Sequence, residues 1–367
     1  MTGRNKQTGY VLMNKDVPML SFLCERNEFD EPVFRELFWC VAYRPIGYKS
    51  LISFLEKRRA LAYRPHIHQI LDQYGEGDLE AFIEATHAVS LNDTFWIKAD
   101  ECDLCWGQVS PYRNEFDMKI AHAAFNGLGD PGHISISPEF CTDGSYPKCW
   151  VRKGEDIFLY KAGKSRNVMA PLSEYLACQV AKILCLDFVG YELDKYRGKH
   201  ITKCWLFTSE QYGLAKATDV FQERRTIPDL LRYFEKLGSG DAFRRMCVLD
   251  AVILNTDRHY GNFGIVFNTE TMKPMSMSPV YDHNRSLFSE LNQEQLERPE
   301  WFIEHSRPKL GKNLITNARG LLTPEIRADL RNLMGFQFHQ HESIEAPQER
   351  LDALSEIVNG QIKAILE

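Results

Sequence analysis

A short stretch in the last third of the sequence carries the residue types that phosphoryl transfer requires. It runs from Asn255 to Phe263 and reads N-T-D-R-H-Y-G-N-F. Phosphoryl transfer needs a carboxylate that orients and deprotonates the attacking hydroxyl, and oxygen ligands that hold magnesium on the phosphates. Asp257 is the candidate base and Asn262 the candidate magnesium ligand, because their spacing matches the D-x-x-x-x-N pattern of a kinase catalytic loop.

A second metal ligand is expected because one asparagine binds a hard cation weakly, and such cations prefer several oxygens. Asp282 is the candidate. Residues 263–267 and 275–279 have strand character and are joined by a turn-forming segment. A hairpin there would return Asp282 to the side of Asn262, so these two residues are the predicted metal ligands.

A cation for the phosphates, with an acidic partner on a helix, is expected upstream. Lys161 ends an apolar strand, and Glu174 lies near the start of the next amphipathic helix, which is the lysine and glutamate arrangement of kinases. A loop between two earlier strands could cover phosphates with backbone N–H groups. Its Gly144, Ser145 and Lys148 are therefore predicted phosphate contacts.

Four further positions complete the predicted site. Strand character gives way to loop after Trp205, so the backbone of Trp205 and Phe207 is predicted to meet the adenine edge of a nucleotide. His259 is placed at the nucleotide site, where we expect it to brace the loop rather than exchange protons. Asp250, on an otherwise apolar helix face, is either a hydrogen-bond partner of the loop or a partly exposed helix position.

The elements that must position these side chains indicate an α+β fold in three parts. Residues 1–130 are predicted to be mainly helical, because apolar residues recur at helical spacing from 31 to about 87. Residues 131–210 read as strands packed on one helix, over Pro171 to Leu184, and the last strand pair is joined by a turn at Arg197 and Gly198. Residues 211–367 read as mostly helical, with Asp241 as the N-cap of the helix that precedes the catalytic loop.

Composition narrows the class of protein. The chain has 367 residues, of which 44% are hydrophobic and 26% charged, the balance of a folded globular protein. Its net charge of −6 gives no general electrostatic reason to bind nucleic acid or an anionic membrane. The first residues lack the apolar run of a secretory signal, and no later run is long enough to span a bilayer. We therefore expect a cytoplasmic protein.

The ten cysteines are expected to be reduced and structural, because most lie within segments of helix or strand character. Cys102 and Cys105 form a C-x-x-C pair, which raises the possibility of a zinc site. The next candidates, Cys141 and Cys149, are spaced more widely than the second thiolate pair of a zinc site. The favoured interpretation is a loop with two unpaired thiols.

The catalytic loop and the segment after it resemble those of the HipA-like kinase family. The family's N-T-D-x-H-x-x-N-F loop stands here at 255–263, and its P-x-Y-D motif stands at 279–282. The resemblance runs from about Gly132 to the C-terminus. It implies a bilobal protein-kinase-like fold, ATP and magnesium, and phosphorylation of serine or threonine on a protein substrate of unknown identity. Some members phosphorylate their own phosphate loop, which makes Ser145 the first candidate autophosphorylation site here.

Two alternatives stay open at this point. The D-R-H-x-x-N order is also similar to the phosphatidylinositol 3/4-kinase loop, although Asp282 here is not part of D-F-G and no segment reads as a membrane dock. A nucleotide-binding pseudokinase scaffold is the other alternative, and the presence of a base at Asp257 argues against it. No helix-turn-helix with a basic recognition helix is evident, so a DNA-binding regulator is disfavoured.

Overall fold

The computed structural model describes residues 7–59, 67, 78–127, 136–164 and 169–367. The predicted boundary at 130 lies outside them, and the three-part division stays a prediction. The chain forms two compact units: the first consists of Met1–Leu159, Thr208–Ala215 and Phe267–Lys273, and the second consists of Tyr160–Phe207, Lys216–Val266 and Pro274–Glu367.

A four-stranded antiparallel sheet opens the first unit. Tyr10 and Phe22 lie opposite each other in the register, with ring centroids 5.6 Å apart, and both are almost fully buried. Aromatic pairs of this kind stabilise neighbouring strands. The strands are β1 (Thr8–Asn14), β2 (Val17–Arg26), β3 (Pro32–Trp39) and β4 (Phe95–Ala99), in the order β3-β2-β1-β4.

The prediction of a mainly helical N-terminal region is wrong for residues 8–39, which form β1, β2 and β3. The error has a physical cause at β3. As an edge strand it leaves Val33, Leu37 and Phe38 exposed, so its apolar residues do not alternate between a buried and a solvated face. Without that alternation, the spacing of its apolar residues also fits a helix.

Helices and a strand pair complete the first unit. Ser50, Asp78 and Asp117 accept hydrogen bonds from backbone N–H groups in the first turns of three helices, as N-caps do. The helical prediction is therefore correct for these three segments, whereas Phe95–Ala99 form the strand β4. The elements are α1 (Leu51–Arg58), α2 (Leu79–Thr86), α3 (Trp106–Val109), α4 (Met118–Asn126), β5 (Lys148–Lys153) and most of β6 (Asp156–Ala162).

In the second unit, a small sheet adjoins one helix. The last residues of β6 belong to this unit, and β8 lies between β6 and β7. The turn from β7 to β8 has positive φ at Arg197 and Gly198, 49° and 75°, which matches the predicted hairpin. The predicted helix from Pro171 is also present. The elements are α5 (Ala170–Leu184), β7 (Glu192–Tyr196) and β8 (Lys199–Trp205).

The rest of the second unit is mostly helical, as predicted, and contains a hairpin. Asp241 is not an N-cap: the cap is Ser239, and the Asp241 carboxylate pairs with Arg245 at 2.7 Å. No helix among the described residues is long and apolar enough to cross a bilayer. The elements are α6 (Ala217–Val220), α7 (Ile227–Lys236), α8 (Gly240–Val252), α9 (Gln293–Leu296), α10 (Glu300–Glu304), α11 (Leu314–Arg319), α12 (Pro324–Asn332) and α13 (Gln348–Leu366), with strand β11 (Pro274–Met277) and the first three residues of β10 (Gly264–Asn268). Strand β9 (Tyr212–Lys216) belongs to the first unit except for Lys216, and the last two residues of β10 also belong to the first unit.

A buried aromatic cluster packs against the end of the predicted catalytic loop, residues 255–263. Phe234 of α7 stacks on Phe243 of α8 with ring centroids 5.2 Å apart, and Phe263 packs against both. All three side chains are at most 1% exposed. Burying such rings contributes roughly 1.5–3 kcal/mol each. The loop that ends at Phe263 is therefore fixed to the core of the second unit.

Candidate functional site

The loop between α8 and β10 is held by a carboxylate behind it. Asp250, near the end of α8, is 3% exposed and accepts a 2.9 Å hydrogen bond from the side-chain amide of Asn255. The Asn255 amide oxygen in turn accepts the backbone N–H of Asp257 at 3.1 Å. Of the two interpretations of Asp250, the structure favours a hydrogen-bond partner of the loop. The backbone of the candidate base is fixed by this chain of contacts.

Arg258 joins the two ends of the candidate site. Its guanidinium is 1% exposed and makes two hydrogen bonds to Asp250, at 2.9 and 3.0 Å. It also donates to the carbonyl oxygens of Asn262 at 2.7 Å and Tyr281 at 2.5 Å. Burial opposes its charge, but Asp250 outweighs this and raises the pKa of Arg258. Because Tyr281 precedes Asp282, the predicted return of the hairpin to the catalytic loop is what the structure shows.

Asp282 lies in a backbone conformation that its neighbours enforce. Its φ is +62°, in the left-handed region, where residues other than glycine are uncommon. Its N–H donates to the Tyr191 hydroxyl at 3.0 Å, and the Tyr281 hydroxyl donates to the carbonyl of Gly261 at 3.1 Å. Strained backbone of this kind persists where surrounding contacts over-determine it, which is frequent at functional sites.

Lys161 and Glu174 form a buried ion pair, as the sequence predicts. The Lys161 Nζ lies 2.6 Å from Glu174 Oε1 and 2.8 Å from Asp282 Oδ1. The other oxygen of Glu174 accepts a 2.8 Å hydrogen bond from Thr202 of β8. Burial by itself lowers the pKa of Lys161, but the carboxylates of Asp282 and Glu174 raise it more strongly, so the lysine is charged. Three segments distant in sequence thus meet at one ammonium group.

Two histidines flank this arrangement as neutral groups. The Nδ1 of His259 accepts the N–H of Gly261 at 3.0 Å, and burial lowers the pKa of His259. This contact is what a residue that braces the loop would make. His283 is fully buried, with Nδ1 3.3 Å from Arg258, and burial together with that guanidinium holds its pKa well below the usual range.

The candidate base contacts two cations that the sequence analysis did not single out. The Lys309 Nζ lies 2.5 Å from Asp257 Oδ1, and Arg285 Nη1 lies 3.6 Å from the same oxygen. By geometry that oxygen accepts no hydrogen bond among the described residues, so the Lys309 contact is an ion pair defined by distance alone. Both cations lie well downstream of Asp257, and no local motif marks them.

The predicted phosphate loop belongs to the first unit. Gly144 has φ +90°, a conformation that suits glycine, and a Cβ there would meet the Lys148 ammonium. Lys148 is 8% exposed, and its ammonium donates to the carbonyl of Asp143 at 2.6 Å. Ser145 is partly buried. The loop is thus ordered by its own lysine, and its phosphate contacts stay a prediction.

The predicted adenine contacts lie where β8 ends. Trp205 is the last residue of β8 and is 53% exposed, so the change from strand to loop occurs where the sequence places it. The ring of Phe207 packs against Tyr281 with centroids 5.7 Å apart. This contact links the segment to the P-x-Y-D motif. Binding of adenine there stays a prediction.

The two predicted metal ligands fit magnesium by chemistry. Asp282 offers a carboxylate and Asn262 an amide oxygen, both hard oxygen donors of the kind that magnesium prefers. The side-chain amide nitrogen of Asn262 donates to the carbonyl of Asp257 at 3.3 Å, so its amide oxygen points away from that carbonyl. Within the described ranges, no group of three or more His, Cys, Asp and Glu side chains could hold a metal by itself. A magnesium ion here would need phosphate oxygens as further ligands.

The described residues bring together a buried lysine and glutamate pair, a loop carboxylate and an aspartate, which are the side-chain types that a kinase site requires. In sequence, the chain is 26% identical over 134 residues to the serine/threonine-protein kinase CtkA of Helicobacter pylori, a match that covers 32% of this chain and 40% of that protein. This match confirms the predicted resemblance to serine/threonine kinases. No family model matches the chain.

Two solved structures are similar in fold. The crystal structure of the Helicobacter pylori proinflammatory kinase CtkA aligns with a TM-score of 0.45 and 16% identity, and covers 60% of this chain and 92% of its own. HipA from the Shewanella oneidensis toxin–antitoxin complex of HipA, HipB and operator DNA aligns with a TM-score of 0.49 and 11% identity, over 96% of both chains. Both TM-scores are below 0.5, so these likenesses carry no conclusion about function.

Proposed function

We propose that the protein is an ATP- and magnesium-dependent serine/threonine protein kinase of the HipA-like type. The observation that carries the proposal is the convergence at Lys161, which contacts both Glu174 and Asp282 within 2.8 Å. Arg258 connects the loop that carries Asp257 to the P-x-Y-D motif that carries Asp282, by donating to the carbonyl oxygens of Asn262 and Tyr281. Phosphoryl transfer is catalysed largely by positioning, which requires a cation that binds the phosphates, ligands for the metal ion and a base. The candidate site contains residues of all three kinds.

In the proposed reaction, the acceptor hydroxyl attacks the γ-phosphorus of ATP and its proton passes to the Asp257 carboxylate. The new bond joins the hydroxyl oxygen to phosphorus, and the bond to the bridging oxygen breaks as ADP leaves with its electron pair. Lys161 would bind the phosphates, with Glu174 orienting its ammonium. Magnesium held by Asn262 and Asp282 would neutralise charge on the phosphate oxygens.

The acceptor is proposed to be a protein hydroxyl. Support comes from the sequence match to a serine/threonine kinase and from the absence of D-F-G around Asp282. We further propose that Ser145 accepts phosphate from the enzyme itself. Its position in a partly buried loop with left-handed backbone at Gly144 gives a hydroxyl on an ordered turn. Phospholipid acceptors and a non-catalytic nucleotide binder are the competing outcomes of the test.

The test measures transfer of labelled γ-phosphate, with magnesium, to the enzyme, to a generic protein substrate and to phosphatidylinositol. We expect labelling of protein by the wild type and its loss, by roughly 100-fold or more, in Asp257→Asn. Asp352→Asn is the matched control, since Asp352 is exposed on α13 and should leave the rate unchanged. Ser145→Ala should lose autophosphorylation but still label the substrate.

Three results would contradict parts of this proposal. Label on lipid alone would assign a lipid kinase. ATP binding without transfer to any acceptor would assign a pseudokinase scaffold. Full labelling of Ser145→Ala on itself would place the autophosphorylation site elsewhere.

A further inference from the structure

The carboxylate of Asp257 contacts two cations that differ in distance and in their other partners. Lys309 is the closer, at 2.5 Å from Oδ1, and its side chain is 52% exposed. Arg285 is at 3.6 Å and is also paired with Glu290 at 3.0 Å. Lys309 therefore combines the shorter contact to the candidate base with access to solvent, and hence to a substrate.

Lys309 is not a loosely tethered surface lysine. Its backbone N–H donates to the carbonyl of Thr256 at 2.9 Å, one residue before the candidate base. The next residue, Leu310, is 6% exposed, and its carbonyl accepts a 3.1 Å hydrogen bond from Asn317 of α11. Gly311 then turns the chain with φ +75°. We name residues 309–311 the Lys309 strap: its backbone is fixed to the catalytic loop on one side and to α11 on the other.

The other cations at the catalytic loop are already engaged. Arg258 is fully buried, and its donors are directed to Asp250 and to two backbone carbonyls. Lys161 is buried between Glu174 and Asp282. Arg258 cannot turn toward a phosphoryl group at Asp257 without leaving the buried Asp250 carboxylate unpaired, which is costly, and Lys161 is already assigned to the nucleotide phosphates. Lys309 is the least constrained of the three, because half of its side chain is in solvent and Arg285 also lies at the Asp257 carboxylate.

We propose that Lys309 is a further catalytic residue, whose ammonium binds the phosphoryl group during its transfer. This inference rests on the proposed kinase function. The hydroxyl that Asp257 deprotonates must approach the phosphorus to within about 3–3.5 Å, so a cation at that carboxylate is within reach of the phosphoryl oxygens. Negative charge is spread over those oxygens in the transition state, and a fixed cation there lowers the barrier.

Two other roles of the same ion pair make different predictions. If the pair only stabilises the fold, its loss should change the rate little, because exposed ion pairs contribute little to stability. If the pair restrains the base, its loss should raise the rate. The proposed role alone predicts a slower transfer step with nearly unchanged ATP binding, because the contact forms in the transition state.

The experiment compares Lys309→Met, Lys309→Arg and the control Lys312→Met in steady-state phosphoryl transfer from magnesium ATP. Lys312 is an exposed lysine immediately after the strap, so its loss removes equal charge. We expect Lys309→Met to lower kcat roughly 100-fold with KM for ATP changed less than about threefold. Lys309→Arg should recover part of the rate, and Lys312→Met should behave as wild type.

A binding measurement separates a catalytic from a structural role. ADP with magnesium and aluminium fluoride, a mimic of the transferring phosphoryl group, should bind the wild type more tightly than ADP with magnesium alone. Lys309→Met should lose that difference and keep its affinity for ADP. A wild-type rate or a faster rate in Lys309→Met overturns the inference while leaving the kinase proposal standing. A wild type that transfers no phosphate from ATP overturns both.

Discussion

At the residue scale, the organising group of the site is the buried pair of Arg258 and Asp250. Arg258 uses its donors on Asp250, on the carbonyl of Asn262 and on that of Tyr281. The pair thus fixes the position of the catalytic loop relative to the segment that carries Asp282. Both charges are buried, so removing one would leave the other unpaired at a large cost in stability.

Replacing Asp250 by asparagine should therefore be severe although the two side chains have the same shape. The change leaves the Arg258 guanidinium without its counter-charge, and we expect the free energy of unfolding to fall by about 3–5 kcal/mol. Urea unfolding monitored by tryptophan fluorescence measures the change. Asp229→Asn is the control, because Asp229 pairs with Arg232 on the surface of α7 and should change stability much less.

The double change Asp250→Asn with Arg258→Gln tests the cause. Removing both charges should restore part of the lost stability, because the single change costs most of its energy through the unpaired cation. If the losses in free energy of unfolding from the two single changes simply add in the double variant, this account is contradicted.

At the element scale, the sequence predicts what is local and periodic. The helix from Pro171 and the hairpin from β7 to β8 follow from apolar spacing and from a turn at Arg197 and Gly198. Asp257, Asn262 and Asp282 can be predicted as site residues because a short loop and a hairpin fix their spacing. The edge strand β3 was missed because exposure of its apolar residues removes the alternation that identifies a strand.

Contacts between distant elements could not be predicted in this way. Thr202 orients Glu174 across 28 residues, and Lys309 approaches Asp257 only because residues 309–311 lie along the catalytic loop. Neither has a sequence signal, since a threonine in a strand and a lysine in a loop are ordinary residues. Their partners are set by packing of elements, which periodicity does not report.

The Lys309 strap gives a prediction at this scale. A Cβ at Gly311 would both strain the backbone, at φ +75°, and meet the side chain of Asn317, which holds the strap on α11. Gly311→Ala should displace Lys309 and slow phosphoryl transfer, by roughly 10-fold if the contact at the base is loosened but not lost.

Gly335→Ala is the matched control for Gly311→Ala. Gly335 has φ +83°, and a Cβ there meets no atom within 4 Å, so the backbone strain is similar but no neighbour of the site moves. Gly335→Ala should lose about 1 kcal/mol of stability through backbone strain, and Gly311→Ala should lose more because it also displaces Asn317. Equal rates in the two variants, measured at a temperature where both are folded, would show that the position of the strap does not govern the transfer step.

At the scale of the whole molecule, the candidate catalytic residues collect in one of two units. Lys161, Glu174, Asp257, Asn262 and Asp282 all belong to the second unit, although Lys161 and Asp282 are 121 residues apart. Each unit is assembled from separate segments of the chain, and β6 and β10 each contribute residues to both. A division of the sequence into consecutive parts cannot represent such an arrangement, because composition and periodicity are read along the chain.

The last prediction concerns how nucleotide and metal act on the stability of the whole protein. A ligand that binds only the folded state raises the free energy of unfolding, by about 2.7 kcal/mol at a concentration about 100-fold above its Kd. We expect ATP with magnesium to raise the thermal unfolding temperature of the wild type, and chelation of magnesium by EDTA to remove most of that increase. Asp282→Asn should lose the magnesium-dependent part, because it removes the carboxylate ligand, whereas Asp352→Asn should keep it. The comparison uses the ligand-induced shift within each variant, since Asp282→Asn also breaks the contact with Lys161 and changes the starting stability. An equal shift with ATP in the presence of magnesium and of EDTA would exclude Asp282 as a metal ligand.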